Sequence, residues 1–227
     1  MLKIILIAVF YLFIVLPSHA QMLISEVDTE KVGYKKTIKR LKKSNLTYFS
    51  DIRPSITDDS NLSMFHCHNA TYTIKAPVEQ VWNTCLLASP ANLWKGKTLG
   101  LSCIYSKNTD NIMYNSDQRF ESLDLNQIYF INLHIIRLFN IAAALIVTNI
   151  DHDTKQIEFT YIEGNKSTGK QILSLHATNE NETTIFHDTL YKSDSKFRDK
   201  RLYSRFHQIS ITELHEKIGV YAHRLVN

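Results

Sequence analysis

The chain has 227 residues, 44% of them hydrophobic and 11% aromatic, and a formal net charge of +4. That is enough apolar material for one domain with a sizeable core, and it excludes a disordered chain. Three cysteines, Cys67, Cys85 and Cys103, permit at most one disulfide and so exclude a disulfide-built scaffold.

Residues 1–20 read as a cleavable export signal. Lys3 supplies a positive start, Ile4 to Leu16 is an unbroken apolar run, and Pro17 ends it before Ser18-His19-Ala20. Small residues then stand at the −3 and −1 positions of a cut before Gln21. The run is shorter than the roughly 20 residues a helix needs to cross a bilayer, which argues against an uncleaved anchor. The chain is therefore expected outside the cytoplasm, periplasmic or secreted.

Residues 21–63 read as a helical or loop leader ahead of a domain spanning 64–227. Lys31, Lys35, Lys36, Lys39, Arg40, Lys42 and Lys43 crowd into it. Setting these and Lys3 aside, acidic residues outnumber basic ones, so no nucleic-acid partner is expected. The basic stretch reads as a solvated face of a short helix, with contact to an anionic membrane surface as the alternative. Turn formers such as Arg53-Pro54-Ser55 and Asp58-Asp59-Ser60-Asn61 fill 44–62.

Met64 to Lys75 alternates like a strand and stops at Ala76-Pro77. Pro77 suits a first helical turn, and Val78, Val81, Trp82, Cys85 and Leu86 recur at helical spacing. Ser89-Pro90 ends that helix, and one further turn follows over Ala91–Trp94. Strands are expected over Leu101–Ser106, Ile112–Asn115, Gln127–Ile135, Ala143–Ile150, Gln156–Glu163, Lys170–Thr178 and Thr184–Tyr191. The turns at Asp151–Thr154, Gly164–Ser167 and Asn179–Glu182 make the later ones antiparallel hairpins. Ile135–Ala144 is open between strand, bend and short helix.

Ser193, Asp194 or Ser195 can cap a last helix running nearly to the end. Leu202, Tyr203, Phe206, His207, Ser210, Leu214, Ile218, Tyr221 and Leu225 share one face of it, while Arg205, Gln208, Glu216 and His223 fall elsewhere. Such a stripe must be buried on the sheet. The fold class is thus α+β: a curved antiparallel sheet wrapped around a long C-terminal helix, with two short helices after the first strand.

Tyr72-Thr-Ile-Lys-Ala-Pro-Val-Glu-Gln-Val-Trp82, a strand ending in Ala-Pro and then a helix with Val-Trp, resembles the opening of the START-like (SRPBCC, helix-grip) superfamily. Ile157–Gly164, Thr168–Leu175 and Thr183–His187 look like its later hairpins, so the resemblance covers roughly residues 64–225. It implies a cavity between the long helix and the sheet for an apolar or amphipathic ligand. The superfamily includes lipid carriers, hormone receptors, polyketide cyclases and oxygenase domains, so the fold leaves function open.

His207 is the residue singled out within the apolar helix face, either as a hydrogen-bonded core histidine or as a polar fixing point in a ligand cavity. Tyr203, Ser210, Leu214 and Tyr221 accompany it on the helix, and Tyr161, Glu163 and His187 are candidate partners from the sheet. His66 and His68 face one way along a strand, but two ligands are too few for a metal site. His207 and His215 lie about 80° apart around the helix, leaving His215 at the margin; Glu213 and Glu216 read as surface charges. No phosphate loop, G-x-S-x-G or H-E-x-x-H motif is present, so neither cofactor nor metal is expected. The sequons at Asn45, Asn61, Asn69, Asn165 and Asn181 matter only in a eukaryotic secretory pathway. Three classes remain: a carrier or binding domain for an apolar or amphipathic small molecule, possibly a lipid; a cyclase- or hydrolase-like enzyme using cavity His and Tyr residues; and a structural domain with a filled core. Binding is favoured because no catalytic constellation can be named. Oligomeric state is left open.

Overall fold

A computed structural model describes residues 21–57, 60–115, 120–136 and 139–224. The expected export signal and Leu225 lie outside them. Eight strands form one antiparallel sheet: β1 (His66–Ile74), β2 (Leu99–Ser106), β3 (Asn111–Tyr114), β4 (Gln127–Ile136), β5 (Phe139–Asp151), β6 (Gln156–Tyr161), β7 (Ser167–Asn179) and β8 (Glu182–Ser193). Their order across the sheet is β1-β8-β7-β6-β5-β4-β2-β3. The described residues of the segment left open by the sequence are strand: β4 runs to Ile136 and β5 begins at Phe139.

Among the described residues, four α-helices accompany the sheet: α1 (Lys35–Leu41), α2 (Val78–Leu87), α3 (Pro90–Leu93) and α4 (Ser204–Ala222). A wide π-type turn, Arg198–Tyr203, leads into α4. Ser195 serves as the local cap, its hydroxyl accepting from the Arg198 N–H. On the inner face, α2 and α4 cover the sheet. Val81, Trp82 and Cys85 of α2 meet Leu214, Ile218 and Ala222 of α4 over Tyr129, Leu145, Phe159 and Leu173. Full burial of each large aliphatic side chain contributes about 1.5–3 kcal/mol in transfer terms. The Gln80 side-chain amide donates to the Ala222 carbonyl, tying α2 to the end of α4.

The leader is not loose. Ile24, Val27, Val32, Ile38, Leu41, Phe49 and Ile52 pack on the outer face of the sheet against Cys103, Tyr105, Ile128, Phe130 and Ile146. The pleat sends alternate residues to opposite faces, so Tyr129 and Ile131 enter the inner core while Ile128 and Phe130 enter the outer one. A bulge between Leu101 and Cys103 breaks the alternation in β2. It leaves Ser102 to receive the leader: the Thr37 hydroxyl donates to the Ser102 hydroxyl at 2.9 Å, and the Gly33 N–H donates to the Ser102 carbonyl at 3.3 Å. Cys85 and Cys103 sit in cores on opposite faces, and Cys67 is exposed; all three are free thiols.

Glu213 is not a surface charge. Its carboxylate accepts from the backbone N–H groups of Lys97, Thr98 and Leu99 at 2.8–3.2 Å. Gly96 makes room for it, since a Cβ there would stand 2.1 Å from a carboxylate oxygen. Among the described residues, no helix is long and apolar enough to cross a membrane.

Candidate functional site

A cavity of about 460 Å³ opens between the start of the last helix and the sheet. The β4 and β5 ends contribute Leu133, Asn140, Ile141, Ala142 and Ala143, and β6 contributes Tyr161. The β6–β7 turn adds Asn165, Lys166 and Ser167. The π-turn adds Arg198, Leu202 and Tyr203, α4 adds Phe206 and His207, and α1 reaches in with Lys36. The volume lies within the roughly 300–1,000 Å³ usual for small-molecule sites. π-type turns inside helices are frequent at such sites, and this one turns both Leu202 and Tyr203 onto the cavity wall.

A polar chain runs from the cavity wall into the core. The hydroxyls of Tyr203 and Tyr161 share a hydrogen bond. The Gln171 amide donates to the Tyr161 hydroxyl at 3.0 Å. Gln171 Oε1 lies 3.0 Å from His187 Nε2, and His187 Nδ1 lies 2.8 Å from His215 Nε2. Burial first, and neighbouring imidazoles second, hold His187 well below the ordinary histidine value and take His215 down to about 3. Both rings are therefore neutral.

Neutrality gives the chain a direction. An amide oxygen only accepts, so His187 carries its proton on Nε2 and donates to Gln171. His187 Nδ1 must then accept from His215 Nε2. At the other end, Gln171 donates to Tyr161, and the Tyr161 and Tyr203 hydroxyls share one hydrogen bond that either can donate, so the pair keeps one hydroxyl proton beyond that bond. Burial, and then the neighbouring Tyr161, push Tyr203 well above the ordinary tyrosine value, so it remains a neutral hydroxyl. Its ring is held between Tyr191, stacked at 3.6 Å, and His207 at 5.2 Å.

His207 makes a second branch. Its Nδ1 lies 3.2 Å from His68 Nδ1 on β1, and its ring stands 5.5 Å from that of His187. Burial holds His207 well below the usual value too, and its Nε2 is buried without a partner among the described residues. Those residues include no group of three or more His, Cys, Asp or Glu side chains arranged to hold a metal ion.

Of the residues singled out in the sequence, Tyr161, Tyr203 and His207 line the cavity. His187 stands one hydrogen-bonded link behind it, through Gln171. Ser210 is buried on the same helix face but outside the lining. Leu214 lies deeper, against Cys85, Trp94 and Phe159, and Tyr221 is half-buried near the helix end beneath Arg224. Glu163 is exposed: β6 stops at Tyr161, Ile162 turns to the outer core, and Gly164 reverses the chain with a φ of 73°. His215, at the margin of the expected stripe, is 2% exposed and ends the polar chain. Gln171 carried no distinguishing signal in the sequence. Lys36, Lys166 and Arg198 reach the cavity through contacts distant in sequence.

Solved structures share this architecture. Norcoclaurine synthase from Thalictrum flavum, a point mutant in complex with a transition state analogue, aligns with 72% of this chain and 98% of its own at a TM-score of 0.51 and 10% identity. Major latex-like protein 151 from Panax ginseng aligns with 70% of this chain and 99% of its own, at 0.51 and 11%. A conserved protein from Geobacillus kaustophilus aligns with 70% and 96%, at 0.50 and 16%. The chain shares the helix-grip fold of these structures. At such identities the likeness establishes the fold alone. No protein-family model matches the sequence, and no curated protein matches it.

Proposed function

We propose that the domain binds a small apolar or amphipathic molecule in the cavity between the π-turn, α4 and the sheet, and that it does so after export. The carrying observation is an apolar-walled space of about 460 Å³ with the hydrogen-bonded hydroxyls of Tyr161 and Tyr203 at its wall. A mostly apolar pocket with a few placed polar groups is how small-molecule sites are built. The ligand presents a hydrogen-bond acceptor to this pair. Export rests on the residue pattern of 1–20 alone.

One observation favours a second reading, as an enzyme. The chain from Tyr203 through Tyr161, Gln171 and His187 to His215 joins a cavity hydroxyl to buried imidazoles, which suits acid–base work on a bound compound.

Native mass spectrometry of the purified protein separates these readings. Binding predicts a small molecule that leaves unchanged on denaturation, and His207→Phe alters which compound is held. Turnover of that compound, lost on changing Tyr203 or His207, would establish the enzyme instead. A crystal structure with the cavity filled by side chains would end both.

A further inference from the structure

The cations of the leader are sorted by position. Lys31 pairs with Asp28 at 3.5 Å and Lys35 with Glu30 at 2.6 Å, while Lys42 donates to the carbonyls of Ser25 and Val27. None of these borders the cavity. Lys36 lines the cavity beside Lys166 and Arg198. Lys36 and Lys166 also belong to an adjoining concave surface with Lys39, Arg40 and Lys43.

Among the described residues, no carboxylate lines either space. Lys36 donates to the Asn140 carbonyl and Arg40 to the Gly164 carbonyl, which satisfies donors without cancelling charge. Arg198 has a carboxylate partner, the exposed Asp194. Burial first, and the nearby Arg198 second, pull Arg40 below its ordinary value, so the two guanidiniums repel one another. A cleft lined by one sign of charge concentrates ions of the other sign. Here that cleft is the mouth of an apolar cavity.

We propose that the ligand is an anionic amphiphile: its apolar body fills the cavity, and its carboxylate or phosphate head sits at the mouth among Lys36, Lys166 and Arg198. This rests on the cavity-binding reading above and adds the chemical class of its ligand. The leader, which lies outside the part of the chain that resembles the superfamily, then supplies part of the site.

The test uses the purified protein loaded with the neutral fluorescent probe N-phenyl-1-naphthylamine, displaced by dodecanoate, dodecyl phosphate or dodecanol at neutral pH and low salt. At least one anion should displace the probe at a concentration about tenfold or more below that of dodecanol. The gap should shrink in molar sodium chloride. It should close in Lys36→Gln/Lys166→Gln, two exposed positions, through loss of displacement by the anion. Whichever anion is stronger names the head group. Equal displacement by all three, or a gap that survives in the double variant, overturns the inference and leaves the cavity reading standing. Equal displacement together with lysine-dependent binding to phosphatidylglycerol vesicles overturns it too, and assigns the cations to a membrane surface. No displacement by any of the three overturns the cavity reading itself.

Discussion

Tyr161 at the end of β6 and Tyr203 at the end of the π-turn join their hydroxyls across the wall of the cavity. The pair fastens the start of the last helix to the sheet. Gln171 already donates to Tyr161, and the pair keeps one hydroxyl proton that their own bond does not use.

Tyr203→Phe removes one hydroxyl of the pair and keeps the stacked ring. Affinity for an acceptor-bearing ligand should fall by about 0.5–1.5 kcal/mol, a few-fold to about tenfold, while an acceptor-free apolar probe binds as before. Parallel titrations with dodecanol and dodecane-like probes measure this. An equal loss for both would show that the hydroxyl acts only on the fold.

The buried histidines make the fold acid-sensitive. His187 and His207 lie well below the ordinary value and His215 at about 3, mainly through burial. Each is neutral when folded and becomes charged when unfolded below about pH 6.5. Their contribution is fully present above that pH and is lost as pH falls toward the folded values. With three rings the loss approaches about 4 kcal/mol per pH unit at the steepest. Urea midpoints should drop sharply between neutrality and pH 5; a flat profile would mean the rings are solvated.

Glu213 and Glu216 look alike in the sequence but not in the fold. Glu213→Ala strips the acceptor from three backbone N–H groups and should cost about 1–3 kcal/mol or more. Glu216→Ala, at an exposed position, should change stability by less than about 0.5 kcal/mol. Thermal melts of the two variants compare them, and matching melting temperatures would contradict the assignment.

That contrast shows what the sequence carries. Apolar runs bounded by turn residues located the strands, because both signals are local, and helical spacing put Tyr203, His207 and Leu214 on the buried side of the last helix. It was silent on what meets that helix from afar: Glu213 turns inward because Gly96 leaves a gap, and no spacing within α4 records this. The outer layer was legible in part. β2, β4 and β5 are apolar on both faces, as in Leu99–Ser106, where seven of eight positions are buried. A sheet with one wet face would alternate, so the doubled pattern asks for a second covering layer, which the leader supplies. Gln171 and Lys36 enter the site through tertiary contacts alone.

Export is a separate matter from binding. N-terminal sequencing of the protein from its native host should return a chain beginning at Gln21 and found outside the cytoplasm. An intact Met1 in a soluble cytoplasmic fraction would refute it.

The central claim is that the cavity is a binding site. Ala143 lies on its wall, half-buried at the inner edge of β5, where a phenyl ring would occupy the space. Fluorescence titration of the wild type with N-phenyl-1-naphthylamine should give saturable binding at one site. Ala143→Phe should abolish it, with circular dichroism and the melting transition retained. Saturable binding that persists unchanged in Ala143→Phe, or none in the wild type, would contradict the account.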